Sequence, residues 1–389
     1  MRIGLVLPAT PAYSETFFRS KIKGLQDNGN EVIVFAGRKT KGFDLCPVIR
    51  TLPVFSFPPL QLGVMALRLL GLGLTAPRRA RSFYLLERRS GRSARQALEN
   101  LYLNSHILPQ QLDWLHFGFA TTALRRENTA RAMGARMGVS LRGYDISLYP
   151  LKHPGCYRLL WERVDKVHTI SDALVQKAYA LGLSKDIPVE KITPAINTKQ
   201  FTRSTPVAAL STPIRLLTVA RLKWVKGLEY TLEALALLKQ QGVSFHYTII
   251  GEGSEYERLA FAAYQLGISE QVLFAGKLPH EQVKAAMEQA DIYLQYSLQE
   301  GFCNAVLEAQ AMGLLCVVSD AEGLPENVLH GETGWVVPKR QPGLLSEQIM
   351  DVMLQDENNL QVVRSRAIER VGQDFNLSQQ QQAFFHFFE

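Results

Sequence analysis

The stretch "DIYLQYSLQEGFCNAVLEAQAMGLLCVVSD", residues 291–320, decides the fold class. It begins with an apolar strand pattern, DIYLQYS, passes through a loop into the helix pattern NAVLEAQAMG, and ends with a second strand pattern, LCVVSD. A strand, helix and strand in this order predict parallel strands joined by a right-handed connection. Glu300 and Glu308 bracket the start of the helix. They are either a helix-start carboxylate plus a solvated side chain, or parts of a binding site.

The same alternation extends through both halves of the chain. Strand patterns such as IRLLTVAR, SFHYTIIG and QVLFAG alternate with helix patterns after residue 214, and RIGLVLP, EVIVFAG, LDWLHFGF and KVHTIS do so before it. This predicts an α/β protein with two doubly wound parallel-sheet domains, whose strand ends face each other across a cleft. We place the N-terminal domain at 1–200, the second domain at 201–370, and a helical tail, which could cross back to the first domain, at 371–389. The linker is the Thr-, Ser- and Pro-rich stretch 197–213.

Composition fits a globular protein of two domains, with 389 residues and 47% apolar side chains. Four scattered cysteines without a C-x-x-C pair, and an N-terminus without a secretory signal pattern, indicate a cytoplasmic location. The longest apolar region, FPPLQLGVMALRLLGLGLTAP, is interrupted by Gln61 and Arg68 and broken by glycines and prolines. We therefore do not expect it to span a membrane.

The positive charge belongs to the first half of the chain. Residues 1–200 carry 29 lysines and arginines against 14 acidic residues, whereas residues 201–389 carry 14 against 22. The densest cluster is RRARSFYLLERRSGRSAR, 78–95, which is either a solvated helix face or a surface for anionic lipid or an acidic acceptor. Nucleic acid is not expected as a partner, because no nucleic-acid-binding motif accompanies the cluster.

Loops that follow the strands of the second half carry the candidate binding residues, since ligands gather at the carboxyl ends of parallel strands. ARLKWVKG places Arg221 and Lys226 in one turn before a helix start, which suits a diphosphate; two ordinary surface cations are the alternative. GEGSE offers Gly251 and Glu252, although a simple tight turn explains the glycine equally well. In KLPHEQ, the backbone of Lys277 and Leu278 could read a base edge.

The loop at the start of the helix in 299–313 completes this set. The N–H groups of a helix beginning near Cys303 and Asn304 would point toward a ligand. Glu308 lies one turn further on the same face, where a carboxylate could bind both ribose hydroxyls. Glu300 would then lie beside a sugar attached to the diphosphate. Together the four loops predict a nucleotide-sugar pocket.

These motifs resemble those of the donor domain of GT-B glycosyltransferases, in particular the retaining family GT4. The resemblance rests on EGFCNAVLE, RLKWVK, GEGSEYERL and EGLPENVLHGETGWVVP, which cover most of residues 214–338. The N-terminal half is similar more loosely, through YSETFFRSKIKGL, LHFGFA, SLRGYDIS and VHTISDAL. The resemblance implies the GT-B fold, with two Rossmann-like domains facing across a cleft.

The resemblance also implies roles for individual residues. Arg221 and Lys226 would hold the diphosphate and Glu308 the ribose, while Glu300 and the backbone of Phe302, Cys303, Asn304 and Ala305 would position the donor sugar. His116 matches a histidine on the acceptor side near the anomeric carbon, although a lone histidine after a strand is more often structural. The acceptor-side candidates are Tyr13, Ser14, Arg142 and Asp145.

Three segments depart from the family pattern. The first loop, PATPAYSET, has no glycine, Arg142 stands where many relatives carry histidine, and PAINTKQF replaces the commoner Asn-Gly-x-Asp. These departures concern the acceptor side and the linker, so acceptor contacts through the first loop are in doubt.

Function follows from the donor residues and the resemblance together. We expect a retaining glycosyltransferase that uses fixed cations, no metal and no cofactor, since D-x-D is absent. A nucleotide-sugar epimerase or hydrolase, or a non-catalytic sensor, is the alternative. The lack of G-x-G-x-x-G after the first strand argues against a dehydrogenase.

The acceptor is expected to be a saccharide or a lipid-linked saccharide in cell-surface polysaccharide or lipopolysaccharide synthesis. The basic and partly apolar region 64–95 would then associate peripherally with the inner face of an anionic membrane. UDP is preferred to GDP as the donor nucleotide on family frequency alone.

Overall fold

The computed structural model describes residues 1–11, 16–40, 42–204 and 209–389. The chain divides into two units, Met1–Ile192 together with Gln380–Glu389, and Thr193–Gln379. The sequence analysis places these boundaries at 200 and 370.

The first unit is built on a parallel sheet of seven strands within the described residues. Its strands are β1 (Arg2–Ala9), β2 (Glu31–Arg38), β3 (Val48–Arg50), β4 (Trp114–Phe117), β5 (Arg136–Leu141), β6 (Lys166–Thr169) and β7 (Val189–Lys191). Its helices are α1 (Thr16–Asp27), α2 (Pro58–Thr75), α3 (Pro77–Arg89), α4 (Ala94–Asn104), α5 (Ala120–Ala123), α6 (Thr129–Met133), α7 (Tyr149–Lys152), α8 (Arg158–Trp161) and α9 (Asp172–Ala180). The strand order is β3-β2-β1-β4-β5-β6-β7.

The second unit has a parallel sheet of six strands in the part of the chain that the structure describes. Its strands are β8 (Ile214–Val219), β9 (Phe245–Ile250), β10 (Val272–Gly276), β11 (Ile292–Gln295), β12 (Leu315–Ser319) and β13 (Trp335–Val337). Its helices are α10 (Leu228–Gln240), α11 (Tyr256–Gln265), α12 (His280–Gln289), α13 (Asn304–Ala311), α14 (Leu324–Asn327), α15 (Pro342–Leu354) and α16 (Glu357–Asp374), and α17 (Leu377–Phe388) runs from this unit into the first. The order is β10-β9-β8-β11-β12-β13, which is the doubly wound Rossmann arrangement.

The predicted α/β architecture is confirmed by these two sheets. Strands buried on both faces are mostly apolar, as in β12, whose five residues LCVVS are all buried. Helices cover the sheets with apolar faces, and each unit has its own hydrophobic core.

Two segments differ from the sequence interpretation. The region TTALRRENTARAMG, read as helical, contains two short helices, α5 and α6, separated by Arg125 in a left-handed conformation with φ 66°. The apolar region around residue 65 forms one continuous 18-residue helix, α2, in spite of its glycines. The reason is that its prolines stand at the first two helical positions, where proline is tolerated, and an interior glycine weakens a helix without ending it.

Among the described residues, no single helix is long and apolar enough to cross a membrane. Helices α2 and α3 reach the necessary length and apolar composition only when taken together, and they are bent by 119° relative to each other.

The C-terminal phenylalanines complete the core of the first unit. Phe384, Phe387 and Phe388 are fully buried. The indole of Trp114 donates a hydrogen bond to the carbonyl oxygen of Phe388 at 2.7 Å. The last helix is therefore an integral part of this unit and contributes to its stability.

Candidate functional site

The candidate donor site lies at the topological switch point of the second sheet. β8 and β11 are neighbours, yet the chain winds away from β8 in one direction and away from β11 in the other. The loops after these two strands therefore diverge and leave a crevice at their carboxyl ends, which is where ligands bind in open α/β sheets. Arg221 and Lys226 follow β8, and Glu300 follows β11.

Close backbone packing joins the loops after β8 and β11. Gly227 has φ +62°, and a Cβ atom there would lie 2.1 Å from the carbonyl oxygen of Tyr296. The backbone N–H of Leu298 donates to the carbonyl oxygen of Val225 at 2.7 Å. Only glycine permits this approach, which holds Lys226 beside the β11 loop.

The two glycines of GEGS, in the loop after β9, also permit close packing against a neighbouring loop. A Cβ atom at Gly251 would lie 1.9 Å from the carbonyl oxygen of Ala220, and one at Gly253 would lie 2.2 Å from that of Leu222. The backbone of Leu222 also donates to the carbonyl oxygen of Glu252 at 3.0 Å. These glycines are therefore required by packing against the β8 loop, which orients the segment that carries Arg221.

Lys226 and Glu300 form an ion pair whose side chains are each 14% exposed. Burial lowers the pKa of Lys226, but the charge and hydrogen bond of Glu300 outweigh it, so the pKa of Lys226 is raised. The ammonium is thus held charged near neutrality. Arg221 lies on the surface of the same loop, and within the described ranges its guanidinium has no hydrogen bond or ion pair. One cation is fixed and the other is available to a ligand.

Polar side chains support Glu300 from the protein interior. The hydroxyl of Ser297 donates to the Glu300 carboxylate at 3.5 Å, and the Gln295 amide donates to the Ser297 hydroxyl at 2.8 Å. The hydroxyl of Tyr293 donates to the Gln295 side-chain oxygen at 3.2 Å. These three residues follow alternate positions of one strand and its end, and they fix the orientation of Glu300.

The start of α13 is clamped by a residue from α14. The Asn327 side chain accepts a hydrogen bond from the backbone N–H of Cys303 at 2.9 Å and donates to the Cys303 carbonyl oxygen at 3.1 Å. Phe302 and Cys303 are buried, and burial raises the pKa of the Cys303 thiol to about 12, so this thiol is un-ionised. The clamp fixes the start of α13, where the backbone N–H groups of Ala305 and Val306 approach the Cys303 thiol, and the positive end of the helix dipole suits an anion or a sugar hydroxyl.

Glu308 lies within α13, one turn from Asn304. Burial raises the pKa of Glu308 to about 8. A carboxylic acid with this pKa is mostly protonated at neutral pH, and a ligand that donates hydrogen bonds to its ionised form would lower the pKa again. A carboxyl group of this kind suits a diol such as ribose.

Two other predicted donor contacts are more open. Lys277 and Glu252 are 75% and 70% exposed at their side chains, with Nζ and Oε1 3.7 Å apart, and such exposed pairs contribute little to stability. Leu278 is half-buried beside them. Their contact with a nucleotide stays a prediction.

His116 lies inside the first unit, in the middle of the sheet. It is 0% exposed, and its Nε2 lies 2.8 Å from the Ser140 hydroxyl and 3.0 Å from the Lys21 Nζ. Gly138 is opposite His116 in β5, and a Cβ atom there would lie 2.5 Å from the imidazole. Burial and the nearby Lys21 charge hold the pKa of His116 well below its usual range. This environment is that of a neutral core histidine, and the predicted contact with a sugar remains untested.

The acceptor-side candidates have structural contacts. Asp145 is buried and accepts hydrogen bonds from the backbone N–H groups of Ala120, Arg142 and Gly143 at 2.9–3.1 Å. The Arg142 guanidinium lies 3.8 Å from the ring centroid of Phe17. Tyr13 and Ser14 lie outside the described residues.

Sequence reasoning missed Asn327, Ser297, Gln295 and Tyr293. Asn327 lies within the family-like segment EGLPENVLH, which could have indicated a role. The other three alternate along a strand that reads as purely structural.

Known glycosyltransferases resemble this chain in sequence. The family model described as glycosyl transferases group 1 matches residues 202–370. The glycosyltransferase WcaL of Salmonella typhimurium, provisionally assigned to colanic acid biosynthesis, is 29% identical over 97% of this chain and 96% of its own. The amylovoran biosynthesis glycosyltransferase AmsK of Erwinia amylovora is 32% identical over 67% of this chain and 66% of its own.

Solved structures share the architecture. HepE of Anabaena in complex with UDP matches with a TM-score of 0.71 at 15% identity, over 98% of this chain and 97% of that chain. Sucrose-phosphate synthase of Thermosynechococcus elongatus matches with a TM-score of 0.69 at 17% identity, over 98% and 96%. At such identities the likeness shows the fold. The chain is therefore a glycosyltransferase of the GT-B fold, and its C-terminal domain belongs to the glycosyl transferases group 1 family.

Proposed function

We propose that this enzyme transfers a hexose or hexose derivative from a UDP-sugar to a saccharide or lipid-linked acceptor, with retention of anomeric configuration and without a metal or other cofactor. The observation that carries the proposal is the grouping of Arg221, Lys226, Glu300 and the α13 start at the β8–β11 switch point. It offers two cations, a carboxylate and the positive end of a helix at one crevice.

Departure of the nucleotide is the step that the cations accelerate. As the glycosidic bond breaks, negative charge grows on the leaving diphosphate while the sugar acquires oxocarbenium character. Because Glu300 already fixes Lys226 in place, Lys226 does not have to move as this charge develops. Arg221 is available to bind the second phosphate. These interactions strengthen in the transition state, so their removal should lower kcat more than it raises KM.

Metal independence rests on the same residues. Arg221 and Lys226 supply the positive charge that a divalent ion would otherwise bring to the diphosphate.

Retention is proposed through the donor itself. The leaving phosphate oxygen takes the proton of the acceptor hydroxyl on the face it departs from, and the new bond forms on that same face. Glu300 orients the donor sugar through its hydroxyls. His116 does not contact the sugar in this step, because its side chain has no exposed surface.

The donor nucleotide and the pathway are proposed from related proteins. HepE binds UDP, and WcaL and AmsK bear names of exopolysaccharide synthesis. These support UDP and an acceptor from cell-surface polysaccharide assembly. The exposed apolar α2 and the basic α3 would bring the enzyme to an anionic membrane surface where such acceptors are found.

A thermal-shift screen of UDP- and GDP-sugars tests the donor assignment. At a concentration 100 times Kd, a donor stabilises its domain by about 2.7 kcal/mol, or about 5–11 °C in Tm for a domain of this size. We expect a UDP-sugar to give this shift with EDTA present. A shift from GDP-sugars alone would overturn the UDP assignment, and the absence of a shift from any nucleotide sugar would overturn the donor site.

Acceptor dependence distinguishes transfer from epimerisation, hydrolysis or sensing. With the stabilising donor, UDP release should increase when a membrane extract containing lipid-linked saccharides is added, and the product should retain the anomeric configuration. A product formed at the same rate without acceptor, or an inverted linkage, would contradict the proposal.

A further inference from the structure

We propose that a cavity between α2 and α4 of the N-terminal unit binds the hydrocarbon chain of a lipid phosphate, with the phosphate held by Arg95 and Arg125. That this lipid is the anchor of the acceptor rests on the proposed function. The binding site itself is argued from the first unit alone.

The cavity has the size and lining of a binding site for a lipid chain. Its volume is about 790 Å³, within the range of about 300–1,000 Å³ that is typical of small-molecule sites. Phe55, Leu62 and Met65 line it from the α2 side, and Leu98 and Tyr102 line it from α4. The Tyr102 hydroxyl donates to a backbone carbonyl oxygen, so it is not left unpaired toward an apolar occupant.

The helix that forms one wall is apolar but almost entirely unburied. In α2 only Leu72 is buried, while Leu67, Leu70 and Leu74 are 68–86% exposed. Arg68 is the one charged residue in its 18 positions. Exposed apolar side chains in this number mark an interaction site, and Leu62, which is 60% exposed, also lines the cavity.

Positive charge at the lining fits a phosphate. Both Arg95 and Arg125 contact the same carboxylate, that of Glu99, at 3.0 and 3.3 Å. Two guanidinium groups for one carboxylate leave an excess positive charge, and guanidinium groups bind phosphate with paired hydrogen bonds. Arg125 is also held by the Asn100 side-chain oxygen, 2.7 Å from its Nε.

The backbone at Arg125 adds a second observation. Its φ of 66° lies in the left-handed region, which costs a non-glycine residue about 1–3 kcal/mol. The residue at this position is an arginine that lines the cavity, and Glu99 and Asn100 hold its guanidinium there. The guanidinium is therefore positioned before any ligand binds.

The surroundings match a lipid better than a protein segment. Beyond the bend of 119° between the helices, α3 presents Arg78, Arg81, Arg88 and Arg89 on its exposed surface. An apolar helix joined to a basic one matches the acyl region and the anionic headgroups of a bilayer. One chain drawn from that bilayer would enter the cavity with its phosphate left at the arginines.

Geranylgeranyl phosphate, used below its micelle concentration, is the probe, and native mass spectrometry or a fluorescent analogue reports binding to the full chain. Met65→Trp adds bulk inside the cavity, and Leu74→Trp adds the same side chain to the exposed end of α2 as a matched control. We expect Met65→Trp to weaken binding about tenfold, because the added bulk excludes about two methylene groups, and Leu74→Trp to leave binding unchanged. Equal binding by Met65→Trp and the wild type would overturn the proposal.

Charge is tested separately from the cavity. Arg95→Gln with Arg125→Gln should weaken geranylgeranyl phosphate about tenfold or more while leaving the uncharged alcohol geranylgeraniol unaffected, and Arg81→Gln on α3 should change neither. If the wild type binds the phosphate and the alcohol with equal affinity, the assignment of Arg95 and Arg125 to the phosphate is refuted. A concentration-dependent dimer that loses its contact on Leu74→Trp would show a second copy covering α2 and would also overturn the proposal.

Control measurements on the same variants test whether each one folds and still binds its donor. If Met65→Trp does not fold, as judged by circular dichroism, Leu98→Phe replaces it. UDP-sugar stabilisation of the C-terminal unit should be unchanged in all variants. If the protein binds the lipid phosphate but transfers sugar to no lipid-linked acceptor, the acceptor assignment is refuted and the lipid-binding site stands. If a variant that no longer binds lipid still transfers sugar at the wild-type rate, the role of the cavity in acceptor binding is refuted and the proposed function stands.

Discussion

Donor binding should be coupled to the loss of a proton from Glu308. Burial raises the pKa of Glu308 to about 8 in the free protein. If the ionised carboxylate accepts hydrogen bonds from both ribose hydroxyls, binding selects the ionised form and lowers this pKa. Affinity should therefore increase as the pH approaches 8 from below.

The size of the effect follows from this pKa. At pH 7 about a tenth of Glu308 is ionised, so selecting that form costs about 1.4 kcal/mol, and at pH 8 the cost is about 0.4 kcal/mol. The donor Kd should decrease about ninefold from pH 6 to 7 and about fivefold from pH 7 to 8, and should change less than about twofold above pH 9.

Calorimetry with an intact UDP-sugar measures this directly. A nucleotide sugar lacks the terminal phosphate monoester that titrates near pH 6, so the ligand does not contribute. Titrations at pH 7 in two buffers of different ionisation enthalpy should show about 0.9 proton released per donor bound. Glu308→Gln should abolish both the release and the pH dependence, and Glu257→Gln, an exposed carboxylate on α11, should preserve both.

A Kd that is constant from pH 6 to 9 with no proton release, or tight pH-independent binding by Glu308→Gln, would refute the assignment of Glu308 to the ribose. In the first case Glu308 would be a buried acid that stays protonated.

The remaining predictions concern the loops and the buried histidines. Gly227→Ala should lower Tm of the C-terminal unit and weaken UDP-sugar binding, because its Cβ atom would lie 2.1 Å from the Tyr296 carbonyl oxygen; a fully stable variant would contradict the packing argument. Asn327→Ala should destabilise the protein by about 1–3 kcal/mol, because it removes both hydrogen bonds to the buried Cys303 backbone, and denaturant unfolding measures it. Burial holds the pKa of His116 and of His168 well below the usual range. Below pH ~6.5 the unfolded state therefore binds more protons at these rings, and they should lower the stability of the N-terminal unit by up to about 2.7 kcal/mol per pH unit. Glu308 has the opposite effect in the C-terminal unit, because its raised pKa favours the folded state as the pH falls below about 8. Unfolding is therefore followed in the N-terminal unit, and a stability of that unit that is unchanged between pH 7 and 5 would contradict the neutral assignment of both rings.

The sequence predicts the fold well because parallel sheets impose a local signal. Strands buried on both faces must be apolar, and the helices between them must cross over, so alternation alone indicates doubly wound domains. The loops after β8 and β11 carry chemistry for the same reason, since strand order places them at one edge.

Pairing across the loops could not be predicted. Lys226 and Glu300 are 74 residues apart, and the sequence analysis assigns them separate ligands without indicating that they contact each other. Similarly, the sequence leaves open whether Gly251 serves a ligand or a tight turn, whereas the structure shows Gly251 and its neighbour Gly253 packed against the β8 loop. Such contacts depend on the packing of one loop against another, and a local sequence pattern does not specify that packing.

His116 illustrates the same limit. The sequence pattern predicts a histidine after a strand, whereas the structure places His116 within β4. Its enclosure depends on Phe387 and Phe388 at the far end of the chain, whose ring centroids lie 5.4 Å from that of the imidazole. In α2 only Leu72 is buried, which agrees with the expectation of an exposed surface in region 64–95, although the continuous helix was not predicted.

The most direct test of the account is the rate of sugar transfer in EDTA by the Arg221→Met, Lys226→Met double variant, with the UDP-sugar that stabilises the wild type and a lipid-linked saccharide fraction as acceptor. The account predicts wild-type turnover that EDTA does not change and a decrease in kcat of about 10²–10³ or more in the folded variant. Near-normal turnover by the variant, or a wild type that transfers only when a divalent ion is restored, would contradict the claim that fixed cations take up the charge of the departing diphosphate.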